Sequence, residues 1–197
     1  MKLLYVLLTF SVILILFQSF TMLVTNKTEK QKYRVVLKEG GVEIRYYPAA
    51  TLATIYSSSK NYKGVANNGF RKLAGYIFGG NEKSESIAMT SPVRMKFSDS
   101  GSSMSFIMPE KYNQNSLPKP NDKTIFIEQA APQYVASISF GGYATDELIQ
   151  EHQKLLAVFL ANKGIKPIGD FSFLGYNAPY QFLARKNDVI VPIDWKE

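Results

Sequence analysis

The chain has 197 residues, of which 46% are hydrophobic and 20% charged, a balance that fits one folded domain with a short appendage and leaves no room for two large ones. It contains no cysteine and one histidine, His152, which excludes disulfides, zinc–thiolate sites, iron–sulfur clusters, thiolate-anchored cofactors and any three-histidine metal site. The net charge of +7 is spread along the chain without a nucleic-acid-binding motif, so no nucleic acid is expected as a partner, and solubility or affinity for anionic lipid headgroups explains the charge better.

The first break in composition comes at once. Leu3 to Val24 is 22 residues without a charge, followed by Lys27, Lys30, Lys32 and Arg34. A helix of that length reaches roughly 33 Å, enough to cross a bilayer core of about 30 Å. The apolar run is longer than the core of a usual signal peptide, and no alanine precedes Ala49 to form an A-x-A cleavage site. Residues 1–24 therefore read as a membrane anchor in contact with lipid, with a cleaved signal as the rival. Residues 25–32 read as a basic linker and 33–197 as the domain. The basic cluster after the anchor favours a cytoplasmic body by positive-inside counting, whereas the two-residue head before it looks like an export signal. The balance leans to an extracytoplasmic body on a single-pass anchor.

Beyond the linker, short alternating patterns predict strands. Val42, Ile44 and Tyr46 alternate, Leu52 to Tyr56 forms a second candidate, and Met104, Phe106 and Met108 a third. Ile125 and Ile127, then Tyr134, Ala136, Ile138 and Phe140, continue the pattern. Two helices are predicted. Tyr62 to Phe78 stops at Gly79-Gly80-Asn81, and Thr145 to Asn162 opens with Asp146 and Glu147 and stops at Gly164.

These pieces repeat with an offset near 83. Val42 and Ile44 align with Ile125 and Ile127, Pro48 with Pro132, Leu52-Ala53 with Val135-Ala136, and Lys72-Leu73 with Lys154-Leu155. The expected fold class is α+β, a duplicated β-β-α-β unit whose strands join in one antiparallel sheet or barrel with both helices packed on it, behind an N-terminal transmembrane helix.

Six peptides in order then resemble the SOUL haem-binding protein family: VEIRYYP, IAMTSPV (87–93), FIMP (106–109), LPKP (117–120), VASISFGG (135–142), and YNAPY (176–180) followed by RKNDV (185–189). The chain departs from the family pattern at Ala178, Tyr180 and Asp188, which bears on the shape of the last loop. The resemblance covers about residues 33–193. It implies a distorted antiparallel β-barrel flanked by two helices, and non-covalent binding of haem or a related tetrapyrrole, a metal-free porphyrin included, for carriage, buffering or sensing.

On the first helix of the domain, Ala66, Phe70, Leu73, Ala74 and Ile77 follow the spacing of one face. Such a stripe is either core or, with its small residues, an apolar slot for a flat ligand. The resemblance implies the slot, because family members hold haem against this helix and the loop before the last strands. Lys63 and Arg71 flank the stripe as candidate cations for the propionates, with Tyr176, Tyr180 and Arg185 on the loop side. The alternative is an interaction domain of structural or regulatory kind, its slot filled by side chains or by another apolar small molecule. Open space over Ala66 and Ala74 distinguishes the two from a slot plugged by Phe78 or Tyr180.

No enzyme chemistry is expected. Thr90 and Ser91 precede a proline without a base beside them in sequence, Asp146 and Glu147 sit where they complement a helix dipole, and no glycine pair opens a phosphate-binding loop. His152 shares a helix face with Leu148, Leu155 and Phe159, which favours a hydrogen-bonded core histidine over an iron ligand.

Overall fold

The computed structural model describes residues 2–196. Helix α1 (Lys2–Lys27) is long and apolar enough to cross a membrane over Lys2–Thr25. The short strand β1 (Glu29–Lys30) follows directly and pairs in parallel with β5 (Thr90–Ser91), so the stretch expected as a linker is anchored to the domain. The remaining strands are β2 (Arg34–Glu39), β3 (Val42–Tyr47), β4 (Ala50–Ser57), β6 (Val93–Ser98), β7 (Gly101–Ile107), β8 (Ile125–Ala130), β9 (Gln133–Gly141), β10 (Ser172–Gly175) and β11 (Lys186–Pro192). They form one antiparallel sheet in the order β2-β3-β9-β11-β10-β6-β7-β4-β8. Helix α2 (Tyr62–Ile77) packs on β7 and β4, and α3 (Asp146–Asn162) on β11 and β9.

That order is a palindrome under duplication. Exchanging β3 with β8, β4 with β9, β6 with β10 and β7 with β11 reverses the eight-strand series and maps α2 onto α3, which places a pseudo-two-fold axis between β6 and β10. Each unit is β-β-α-β-β, one strand longer than the sequence pattern suggests. Burial also shifts the helix alignment by one residue. Leu73 and Leu156, and Ile77 and Leu160, occupy matching core positions, while Leu155 is half exposed.

The sheet curls into a half-barrel, with β2 and β8 as unpaired ends. Ala53, Ile55, Met104, Phe106, Ala136, Val189 and Val191 meet both helices in the main core. On the other face Ser172, Leu174, Asp188 and Ile190 are at most 2% exposed although no helix covers them, so this is the concave face, closed by the curl itself. Tyr33 and Tyr176 pad it beside Tyr47 and Val135. It also holds an ion pair, Arg45 Nη1 to Asp188 Oδ2 at 2.6 Å. Burial alone would lower Arg45, but the charge and hydrogen bond of Asp188 hold its guanidinium above its ordinary value.

Two caps fix the helix starts. Thr145 Oγ1 accepts from Leu148 N at the head of α3, and Asn61 Oδ1 from Gly64 N at the head of α2. Asp146, in the first turn of α3, reaches across and accepts from Tyr62 N at 2.6 Å, so one carboxylate serves the N-termini of both helices.

Candidate functional site

A groove of about 190 Å³ runs along the flank of α2, between that helix, the paired strands β6 and β10, and the loop leading to β11. Tyr62, Ala66, Asn67 and Phe70 form the helix wall, and Val93, Met95, Phe173 and Gly175 form the sheet wall. Asn177, Pro179, Arg185 and Asn187 close the loop side. Two ring contacts stiffen it: Tyr62 meets Phe173 edge-on at 5.3 Å, and Phe70 meets Phe106 at 5.3 Å.

The apolar stripe of α2 divides between two jobs. Leu73 and Ile77 are buried in the core, and Ala66, Phe70 and Ala74 pack partly buried against it, but of these three only Ala66 and Phe70 also line the groove. Gly69 explains the division. A Cβ there would lie 2.8 Å from Ile55 Cδ1 and 3.1 Å from Met104 Sδ, so the missing side chain lets α2 settle onto the sheet along its central line while the flank stays free.

The other sequence candidates are spread around this groove. Lys63 and Arg71 are exposed and outside its lining, and Arg71 Nη2 donates to Asn68 Oδ1. Tyr176 lies against the concave face, where its hydroxyl donates to Asp188 Oδ2 at 2.8 Å. Burial, with the Asp188 charge added, pushes its phenol well above the usual range. Tyr180 is 58% exposed and contacts Phe17 of α1, and Phe78 is also exposed, so neither plugs the groove. The open space lies over Ala66 and Phe70.

Sequence reasoning missed the sheet wall of Val93, Met95 and Phe173, because their alternating pattern marks a buried strand face and carries no signal of adjoining a cleft. It also missed how Arg185 is held. Arg185 Nη1 donates to Ala178 O at 2.7 Å and to Gln181 O, its guanidinium lies 4.3 Å from the ring centre of Tyr143, and its Nε is buried without a hydrogen-bond partner. Burial raises the Tyr62 phenol, although Arg185 pulls it the other way.

His152 stands behind the groove. Its Nδ1 is 2.7 Å from Leu148 O, which makes Nδ1 the donor, and its ring stacks on Phe140 at 4.3 Å. Thr90 Oγ1 donates to Ile107 O, which commits that hydroxyl to the fold. Two other clefts lie away from α2. One of about 210 Å³ beside β1 includes Glu29, Lys30, Lys32 and Glu110, and one of about 630 Å³ at the β6–β7 turn is lined largely by serines.

An open, mainly apolar groove with one half-buried cation, on a duplicated α+β half-barrel, has the make-up of a small-molecule site. Residues 28–192 match the family model described as SOUL heme-binding protein, and the chain belongs to that family. It is 34% identical to mouse (Mus musculus) heme-binding protein 2 over 159 residues, covering 76% of this chain and 77% of that one, and 33% identical to the human (Homo sapiens) protein over the same length and shares. Mouse heme-binding protein 1 is 29% identical over 167 residues, covering 78% of this chain and 87% of that one. Among solved structures, the C-terminal domain of EcmrR superposes with a TM-score of 0.58 at 7% identity, covering 83% of this chain and all but 1% of that one (99%). A hydrolase from Listeria innocua superposes at 0.54 and 7%, covering 81% of this chain and 94% of its own. These two likenesses show the fold alone.

Proposed function

We propose that the groove beside α2 binds haem or a related metal-free porphyrin non-covalently, in a domain tethered to a membrane by α1, for carriage, buffering or sensing. The observation that carries this reading is the half-buried guanidinium of Arg185 at the edge of a mainly apolar groove, its Nε–H lacking a hydrogen-bond partner. Buried polar groups rarely stay unpaired, and a carboxylate is the partner a guanidinium binds most strongly. A tetrapyrrole brings both a flat apolar ring and carboxylates. Family membership and the names of the relatives support the same ligand class.

At about 190 Å³ the groove is smaller than the roughly 300–1,000 Å³ that encloses a drug-sized ligand. It would seat one edge of the macrocycle against Phe70 and Phe173, with a propionate on Arg185 and the rest of the ring outside. Met95 and Tyr62 are lining side chains that carry atoms able to ligate iron, whereas His152 lies outside the lining. Bound there, the tetrapyrrole would supply its own redox or light-absorbing chemistry, and the protein supplies position and exclusion of water.

The test is a titration of the full-length protein in detergent micelles with haemin and with protoporphyrin IX, following the Soret band. Both are expected to bind. Ala66→Trp fills the groove from its helix wall and should raise Kd at least tenfold while moving Tm by no more than about 2 °C, because filling a vacant cleft avoids the overpacking cost of a core site. Undiminished binding by a folded Ala66→Trp protein removes the groove as the site.

A further inference from the structure

The loop that closes the groove is bonded to the apolar helix. Gln18 interrupts the apolar run of α1 and is 2% exposed. Its Nε2 donates to Tyr180 O and its Oε1 accepts from Phe182 N, both at 3.2 Å. Phe17, the residue before it, meets the Tyr180 ring at 6.3 Å, and further along the helix Thr25 Oγ1 donates to Gln181 Oε1 at 2.7 Å. Gln18 precedes Val24 by six residues, about 9 Å along the helix axis. A bilayer core of about 30 Å that starts at Leu3 ends near residue 23, so the Phe17 and Gln18 contacts fall inside it and the Thr25 contact at its edge.

Two features of the loop suit that depth. Its side chains are apolar and bare, with Tyr180 58%, Phe182 42% and Leu183 50% exposed. Most of its backbone carbonyls, by contrast, are satisfied from within the protein. Ala178 O and Gln181 O accept from Arg185, Pro179 O from the Tyr143 hydroxyl, Tyr180 O from Gln18 and Leu183 O from Gln181 Nε2. A loop in water has no need of this, because solvent bonds its carbonyls. In hydrocarbon it is the condition for irregular backbone to exist at all. Lys27 at the end of the helix and Lys30 just past it are exposed and stand where anionic headgroups would lie.

We infer that the segment from Ala178 to Leu183 is embedded in the bilayer beside α1, so that Pro179 and Arg185, which close one side of the groove, open it toward lipid. The occupant of the exposed Tyr180–Phe182–Leu183 surface is the acyl region of the membrane. Resting on the tetrapyrrole reading of the groove, this makes the ligand a lipid-dissolved one that passes between bilayer and groove without crossing water, and it places lipid against the part of the ring that the groove cannot enclose.

The experiment uses the full chain in phosphatidylcholine vesicles containing phosphatidylglycerol, with Trp195→Phe as background. Phe182→Trp and, separately, Leu183→Trp report from the loop, and Phe126→Trp reports from the exposed far edge of the sheet. Phosphatidylcholine brominated on its acyl chains should quench the two loop reporters at least twofold and leave the edge reporter unquenched, with aqueous acrylamide giving the reverse. Loop reporters that behave like the edge reporter in both folded variants overturn the inference. Haemin uptake from preloaded vesicles by Phe182→Ser/Leu183→Ser should slow at least tenfold while its affinity in detergent is unchanged, and unchanged uptake overturns the direct passage. Absence of haemin binding in detergent would instead end the tetrapyrrole reading, leaving the position of the loop decided by the quenching alone.

Discussion

On the α3 side of the pseudo-two-fold axis Phe140 stacks on His152 and fills the space beneath the helix, whereas the corresponding positions on the α2 side hold Ser57 and the Asn68–Gly69 pair. The concave face differs between the halves in the same way. Arg45, opposite Val135, is buried against Asp188, while its counterpart Glu128, opposite Leu52, reaches outward to the hydroxyl of Tyr56, which is 62% exposed. One half has become the sealed, stabilising half, and the other keeps the free flank on which a site can form. Duplication supplies two equivalent frames, and burial in one leaves the other able to carry unfilled space.

The strongest way to break this comparison is on the sealed side. Asp188→Ala leaves the Arg45 guanidinium buried without its main counter-charge and takes an acceptor from Tyr176 and Ser139, so it should cost about 3–5 kcal/mol in denaturant unfolding. Ser103, its counterpart opposite Tyr56, should tolerate alanine within about 0.5 kcal/mol. Equal losses would mean that the halves are equivalent after all. The same network sets acid sensitivity. Burial raises the Glu43 carboxyl, but hydrogen bonds from Lys38 and Arg45 outweigh it and hold the group below 4.5. The folded state therefore binds that proton less readily than the unfolded chain, its stabilisation is full above about pH 4.5, and it is lost as pH falls through the folded value. Glu43→Gln should flatten the stability profile in that acid window.

The next effect is smaller and tests the plug. His152→Ala removes the bond to Leu148 O and the stack on Phe140, for an expected loss of about 1–2 kcal/mol. Because His152 is outside the groove lining, the Soret position and haemin affinity should not change. A Soret shift toward free haemin with a tenfold rise in Kd would make His152 an iron ligand.

The repeat was legible in the sequence because β3, β8 and β9 alternate and both helices have caps and glycine stops, signals that are local. Strands β10 and β11 were harder. SFLG is short, and in NDVIVP buried Asn187 and Asp188 precede an unbroken apolar run, so a strand buried on both faces has no period to detect. The same limit applies to the site. Ala66 and Phe70 followed from helical spacing, but Leu73 and Ile77 share that spacing and are core, because periodicity finds the apolar face without telling which of its edges the sheet covers. Arg185 and Gln18 needed three dimensions, since each acts on backbone atoms far away or across a loop.

The smallest effect sharpens the comparison of the helices. Helix α2 contains Gly64, Gly69 and Gly75, whereas α3 contains no glycine. Glycine costs roughly 0.5–1 kcal/mol relative to alanine in a helix interior, so each needs a reason or is a surplus. Gly64 has one, since a Cβ there would lie 2.0 Å from Ser59 Oγ and 2.9 Å from the Asn61 Oδ1 that caps the helix. Gly69 has the close approach to Ile55 and Met104. Gly75 has neither, with nothing within 4 Å of a built Cβ. Gly75→Ala should therefore stabilise the protein by about 0.5–1 kcal/mol, a rise of a few degrees in Tm for a chain of this size, with haemin affinity unchanged. Gly64→Ala should lower Tm, because displacing Ser59 and the cap outweighs the gain in propensity. If instead Gly75→Ala lowered Tm or weakened haemin binding, α2 would be bending at that glycine as part of the groove, and the helix could no longer be treated as a rigid wall.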